Sequence, residues 1–114
     1  MMLKTYDCLM RAKAEGGETV LGSAELETHA CYLIYGILEP GQKDRVLNPG
    51  PGHEEIVCLV AGLATLVGPE GSQNLRVGEA VYLKGDVKYT LENQQKAPAV
   101  YVVAGGHSAA GHQH

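Results

Sequence analysis

"NPGPGHEEIVCLVAG", residues Asn48–Gly62, carries the strongest structural signal in the chain. Its proline- and glycine-rich start is typical of a turn, and an apolar run follows that ends at Gly62. In an extended chain Glu55 shares one face with the alternate residues Val57 and Leu59, while the residues between them form a second, apolar face. Because both faces beyond Glu55 are apolar, we expect a second protomer or the N-terminal segment to cover the outer one.

The rest of the chain consists of short β-branched or tyrosine-bearing segments separated by Gly, Pro and Asn, a pattern that predicts an all-β fold. The stretch "VGPEGSQNL" has the residues of a hairpin loop, and the first 15 residues have room for one short helix. So many short strands are usually housed in a closed barrel or a jelly roll. The predicted strands are 19–21, 29–38, 56–60, 63–67, 80–83, 89–92 and 99–103.

Length, charge and cysteine content narrow the class of protein. A chain of 114 residues predicts a single domain. The net charge of -4, with nine Lys plus Arg scattered singly, argues against a nucleic-acid partner. Three cysteines without CxxC spacing favour a reducing cytoplasm, and no run approaches the roughly 20 apolar residues of a membrane span.

Two segments resemble the conserved motifs of the cupins. "VLNPGPGHEEIVCLVAG" resembles motif one, G-x5-H-x-H-x3,4-E-x6-G, with Glu55 and Gly62 at the required spacing. "GEAVYLKGDVKYTLEN" resembles motif two, G-x5-P-x-G-x2-H-x3-N, with Gly78 and Asn93 in register. The resemblance implies a single-domain jelly-roll barrel, also called a double-stranded β-helix. It divides the chain into an N-terminal extension (1–17), a motif-bearing core (34–103) and a histidine-rich tail (104–114).

The metal cage that the resemblance implies is altered. Counted back from Glu55, the paired histidines of motif one fall on Pro49 and Pro51, and the histidine of motif two falls on Tyr89. Proline has no side-chain donor, and a tyrosine is at best a hard oxygen ligand. Glu55 is therefore the one family ligand that remains.

His53 precedes Glu55 by two residues, so an extended chain places both side chains on one face. The pair is either half of a rebuilt metal site or a loop histidine beside a solvated carboxylate. If Glu55 faces the barrel lumen without a metal, it needs a hydrogen-bond partner. The candidates are Tyr89, Arg45 and Lys84.

The segment "GGHSAAGHQH" at the end of the sequence holds three of the five histidines, His107, His112 and His114. The last two lie at i and i+2, an arrangement that can chelate zinc, nickel or copper. A glycine-rich segment with scattered histidines also binds such ions without biological meaning, so both readings stay open.

Two functional hypotheses follow from these residues. The first is a stand-alone cupin-like module, sensory or accessory in role, that binds an unknown small molecule in its lumen and works as a homodimer. Its expected ligand-binding residues are His53, Glu55, Tyr89, Arg45 and Lys84. The second is a metal-dependent enzyme of the dioxygenase, isomerase or decarboxylase type, with zinc, nickel, iron or copper in a rebuilt site. No GxSxG, P-loop, GxGxxG or HExxH arrangement supports other enzyme classes.

Overall fold

The computed structural model describes residues 2–107. Within this range the chain forms two short helices, α1 (Cys8–Ala14) and α2 (Ser23–Leu26), together with nine strands. The strands are β1 (Glu18–Leu21), β2 (Cys31–Leu38), β3 (Arg45–Leu47), β4 (His53–Ala61), β5 (Leu63–Gly68), β6 (Gly71–Arg76), β7 (Ala80–Lys84), β8 (Tyr89–Glu92) and β9 (Ala99–His107).

The strands form two antiparallel sheets, with the orders β1-β2-β9-β4-β7 and β3-β8-β5-β6. Both sheets contribute to one aliphatic core, in which Val57 and Val103 of the five-stranded sheet pack with Leu66 and Leu91 of the four-stranded sheet. The predicted all-β jelly-roll fold is confirmed. Among the described residues, no helix is long and apolar enough to cross a membrane.

The strand at the centre of the first motif has the predicted alternation. Glu55, Val57 and Leu59 are buried on the inner face of β4, whereas Ile56 and Val60 on the outer face are exposed. The N-terminal segment covers a different part of this sheet. Helix α1 packs on the outer face of β1 and β2 and leaves the outer face of β4 open.

Two motif residues, Asn93 and Gly62, have structural roles that do not depend on the histidines. Asn93 is fully buried, and its side-chain amide donates to the carbonyl oxygens of Leu38 at 2.9 Å and Ala97 at 2.8 Å. Gly62 has a φ of 81°, and a Cβ there would lie 2.8 Å from the carbonyl oxygen of Pro98. Both positions therefore support the fold rather than a bound group.

Three elements differ from the expectations. Most of the expected hairpin loop is strand β6, and the connecting turn is only Pro69 and Glu70. Strand β6 is an edge strand whose residues are mostly exposed, so it lacks the alternating apolar signal of a strand. The three-residue strand β3 was also missed. Strand β9 continues to His107, so residues 104–107, expected in the tail, belong to the sheet.

Candidate binding site at the mouth of the barrel

Four polar side chains lie at one end of the inner face of the five-stranded sheet. Strand register pairs Glu55 with Gly105, Gly105 with Tyr32, and His53 with His107. Because alternate residues of a strand share a face, His53 and His107 lie on the core-facing side, one step beyond Glu55. We call Tyr32, His53, Glu55 and His107 the mouth cluster.

Tyr32 satisfies the buried carboxylate of the cluster. Glu55 is 8% exposed, and the Tyr32 hydroxyl donates to its Oε2 at 2.5 Å. Burial and the hydrogen bond to this carboxylate both raise the pKa of Tyr32, because each favours the neutral phenol. The phenol therefore stays protonated and acts as a donor throughout the neutral pH range.

Gly105 makes this contact possible. A Cβ on Gly105 would lie 2.1 Å from Cζ and 2.4 Å from the hydroxyl oxygen of Tyr32. The missing side chain lets the Tyr32 ring cross β9 and reach Glu55 on the next strand. Sequence reasoning missed Tyr32, because this pairing depends on a register that the sequence does not display.

The partners expected for Glu55 lie elsewhere. Tyr89 packs against the core, and its ring occupies the space beside Gly68, where a Cβ would lie 2.1 Å from the ring. Lys84 is exposed, because its neighbour Leu83 takes the inward position opposite Glu55. The expectation that Tyr89 or Lys84 satisfies Glu55 was therefore wrong.

Arg45 belongs to a second polar group, between the edge strands of the two sheets. Its Nε donates to Glu18 Oε1 at 2.5 Å and to the Tyr101 hydroxyl oxygen at 3.0 Å, and the Tyr101 hydroxyl donates to Glu18. These residues line a polar cavity of about 240 Å³. Arg45 therefore joins β3 to β1 instead of pairing with Glu55 as expected, because Glu18 is the carboxylate within its reach.

The two histidines of the mouth cluster face each other across the β4–β9 pair. Their ring centroids are 5.0 Å apart, with an angle of 33° between the ring planes. His53 Nδ1 lies 3.2 Å from the carbonyl oxygen of Pro51. Because a carbonyl can only accept, Nδ1 carries the proton and Nε2 of His53 carries the lone pair.

A pocket of about 230 Å³ opens beside the cluster. Tyr32, His53 and His107 form part of its wall, and Val20 of β1 closes another side. His29, which the sequence placed at a strand end, lies in the loop before β2 and also lines the pocket. The pocket therefore combines hydrogen-bonding groups with one apolar wall.

The metal cage of the cupins does not fit these residues. Pro49 and Pro51 offer no side-chain ligand, Tyr89 is packed in the core, and Glu55 is hydrogen-bonded to Tyr32. Across residues 2–107, no group of three His, Cys, Asp or Glu side chains is arranged to hold a metal ion. The remaining candidate ligands, His112 and His114, lie outside the described residues.

Comparison with known proteins gives a match in structure alone. No family model and no curated protein matches the sequence. A cupin protein from Bacteroides fragilis superposes with a TM-score of 0.74 at 12% identity, covering 100% of this chain and 89% of that one.

Two further structures show how the same fold is used elsewhere. The Cupin_2 domain of an XRE family transcriptional regulator from Enterobacter cloacae has a TM-score of 0.66 at 20% identity, over 81% of this chain and 98% of that one. A sugar phosphate isomerase of the cupin superfamily from Silicibacter pomeroyi has a TM-score of 0.65 at 22% identity. The match covers 92% of this chain and 68% of that one. The similarity establishes a common fold, and the mouth cluster must be interpreted from its own residues.

Proposed function

Since this chain has the cupin fold, we propose that it is a stand-alone binding module that holds a small molecule at the mouth of its barrel, in a sensory or accessory role. The observation that carries this proposal is the convergence of Tyr32, His53 and His107 on one pocket. The family's three histidine positions hold two prolines and a tyrosine in this chain, and Glu55 accepts a hydrogen bond from Tyr32. These residues favour recognition over the family's metal chemistry.

The size and chemistry of the pocket suggest its ligand class. A volume of about 230 Å³ is below the roughly 300–1,000 Å³ typical of sites for drug-sized molecules. Three imidazoles, those of His29, His53 and His107, line the pocket and supply hydrogen-bonding groups, while Val20 offers an apolar contact. We therefore propose a small polar metabolite rather than a nucleotide or a lipid.

The enzyme hypothesis remains as a second proposal because of one specific observation. His53 and His107 are adjacent imidazoles on neighbouring strands, which is a starting point for a rebuilt metal site. The two structural relatives illustrate both possibilities, since one is a domain of a transcriptional regulator and the other is an isomerase. Turnover of a bound metabolite would favour the enzyme.

We also propose a reducing compartment and a homodimeric state. Cys8, Cys31 and Cys58 are free thiols, which supports a reducing compartment such as the cytoplasm. The open outer face of β4, where Ile56 and Val60 are exposed, supports a homodimer.

Filling the pocket tests the proposal. We expect one or more compounds from a panel of small organic acids, sugar phosphates and polyols to raise the melting temperature of the protein in EDTA. Val20→Phe should abolish this shift, because Val20 lines the pocket and is exposed enough to accept a larger side chain. Val46→Phe is the matched control, since Val46 has similar exposure and lies on β3 in the other sheet.

The outcomes separate the alternatives. Loss of the shift in Val20→Phe and its retention in Val46→Phe support a ligand at the mouth. If the melting temperature of Val20→Phe rises as much as that of the parent protein, the ligand binds elsewhere. A panel in which no compound raises the melting temperature would contradict the proposed ligand class.

A further inference from the structure

The polar cavity between the edge strands β1 and β3, which we call the seam cavity, is a second candidate site. Its volume is about 240 Å³, and its polar side chains are those of Glu18, Gln42, Asp44, Arg45 and Tyr101. Among the described residues, it shares no lining residue with the pocket at the mouth. We infer that the seam cavity binds a small zwitterion of the α-amino acid type, independently of the ligand at the mouth.

The guanidinium group of Arg45 is held in one orientation. Its Nε donates to Glu18 Oε1 at 2.5 Å and to the Tyr101 hydroxyl oxygen at 3.0 Å, and its Nη1 donates to the carbonyl oxygen of Val46. Its second terminal nitrogen, Nη2, has no hydrogen-bond partner among the described residues. Every buried side-chain nitrogen in this part of the chain has a partner, so Nη2 is accessible to solvent. Arg45 therefore offers a preorganised, charged donor to a carboxylate.

Two carboxylates of the seam cavity can accept hydrogen bonds from a ligand. Asp44 lines the cavity and forms no ion pair or hydrogen bond within the described part of the chain. Glu18 Oε1 accepts from Arg45 and from the Tyr101 hydroxyl, which leaves Oε2 of Glu18 as a further acceptor. An ammonium group has three N–H donors and could use both carboxylates.

The balance of charges favours a ligand that carries both signs. Glu18 and Asp44 bring two negative charges to the cavity and Arg45 brings one positive charge. A simple anion would face two carboxylates, and a simple cation would leave Arg45 Nη2 without a partner. A zwitterion avoids both costs, with its carboxylate on Arg45 Nη2 and its ammonium group on Asp44.

The walls of the seam cavity restrict the size of the ligand. Gly16 and Gly17, with φ of 87° and 113°, form one wall and contribute no side chain to it. Among the described lining residues, Ile37 alone has an aliphatic side chain. The volume of about 240 Å³ is also below the roughly 300–1,000 Å³ typical of sites for drug-sized molecules. We therefore expect the free amino acids glycine, alanine and serine to fit, and larger apolar amino acids to be excluded.

Titration of the full chain with amino acids tests the inference. The ¹⁵N-labelled protein is titrated with free glycine, L-alanine and L-serine, and its backbone amide resonances are followed by NMR. We expect saturable shifts at Gly16, Gly17 and Arg45, while the resonances of Tyr32 and His53 stay in place. Saturable shifts at Tyr32 and His53 alone would overturn the inference, because they would place the amino acid at the mouth. Absence of binding by all three amino acids would also overturn it.

Acetate and methylamine test whether both charges of the ligand are needed. Each carries one of the two charged groups of free glycine. We expect each to bind at least about tenfold more weakly than free glycine, because one set of charged hydrogen bonds is missing. Acetate or methylamine that binds as tightly as free glycine would contradict recognition of a zwitterion.

Asp44→Asn tests the partner of the ammonium group. Because Asp44 has no partner among the described residues, the variant should keep the melting temperature of the parent protein. We expect it to weaken the binding of free glycine by at least about fivefold. Asp86→Asn, the same change at an exposed aspartate in the turn before β8, is the matched control and should keep the affinity within about twofold. An affinity in Asp44→Asn equal to that of Asp86→Asn would overturn the inference.

Discussion

At the scale of single residues, Tyr32 determines how Glu55 can be buried. A buried carboxylate without a hydrogen-bond donor is costly, and the Tyr32 hydroxyl is the donor that the structure provides. The same hydroxyl occupies a carboxylate oxygen that a metal would otherwise use. Tyr32 therefore contributes both to stability and to the choice of ligand.

Removal of this donor should destabilise the protein. We expect Tyr32→Phe to lower the free energy of unfolding by about 1–3 kcal/mol at pH 7, because a buried acceptor is left unsatisfied. Urea denaturation of the two proteins at pH 7 measures this difference.

Tyr82 provides the control for this prediction. Its hydroxyl also donates to a carboxylate, that of Glu54, but both groups lie on the outer face and Tyr82 is exposed. Tyr82→Phe should therefore cost less than about 0.5 kcal/mol. A loss in Tyr32→Phe no larger than in Tyr82→Phe would show that the buried hydrogen bond is unimportant.

The contribution of a second buried phenol, Tyr101, to stability can be tested at alkaline pH. Burial, followed by the hydrogen bond to Glu18, raises the pKa of Tyr101 above its ordinary value of 10.0. The folded chain then keeps a proton that the unfolded chain releases, so this contribution to stability is present below about pH 10 and is lost as the pH rises further. We expect the free energy of unfolding to fall as the pH rises above about 10, and to fall less in Tyr101→Phe. Equal slopes for the two proteins would contradict this role of Tyr101.

At the scale of elements, β2 and β9 are matched by two tyrosine–glycine pairs. Tyr32 lies opposite Gly105, and Gly36 lies opposite Tyr101. In each pair the ring fills the space of the missing side chain, a combination known to rescue glycine in strands. The two pairs fix the register that brings the mouth cluster together.

A methyl group at Gly36 should disrupt this match. Its Cβ would lie 2.1 Å from Cζ of Tyr101, so the ring and its hydrogen bonds must move. We expect Gly36→Ala to lower the free energy of unfolding by about 2–3 kcal/mol, as overpacking does. Gly22→Ala, whose Cβ would meet Val20 at 3.6 Å, should cost under about 1 kcal/mol. Similar melting temperatures for the two variants would contradict the prediction.

Some strands and site residues could be predicted from the sequence and others could not, for physical reasons. Strand β4 was predictable because its apolar residues alternate, and the same alternation placed His53 beside Glu55 on the inner face. Strand β6 is polar because it lies at an exposed edge. The role of Tyr32 could not be predicted, because its contact with Glu55 crosses strand β9. Such a contact depends on the register between strands that are distant in the sequence.

At the scale of the whole molecule, helix α1 leaves half of the five-stranded sheet uncovered. Ile56, Val60 and Tyr82 are 50%, 45% and 59% exposed on the outer face of β4 and β7. Glu54 and Lys84, which are paired in register, add one negative and one positive charge to the same surface. Such a surface is self-complementary, which favours a second copy of this chain as its partner.

A charge on this face tests the dimer. We expect the protein to sediment as a dimer at micromolar concentration and Ile56→Glu to sediment as a monomer, because the variant buries an unpaired charge in the interface. Val46→Glu, on an exposed residue of the other sheet, should remain dimeric. A monomeric parent protein, or a dimeric Ile56→Glu, would contradict the prediction.

The strand order has a consequence for biosynthesis. Strand β9, the last of the described strands to leave the ribosome, lies between β2 and β4. A nascent chain that stops before residue 99 therefore exposes two apolar strand edges, which makes it prone to aggregation and a substrate for chaperones. Because His107 closes β9, the site at the mouth forms only when this central strand has been inserted.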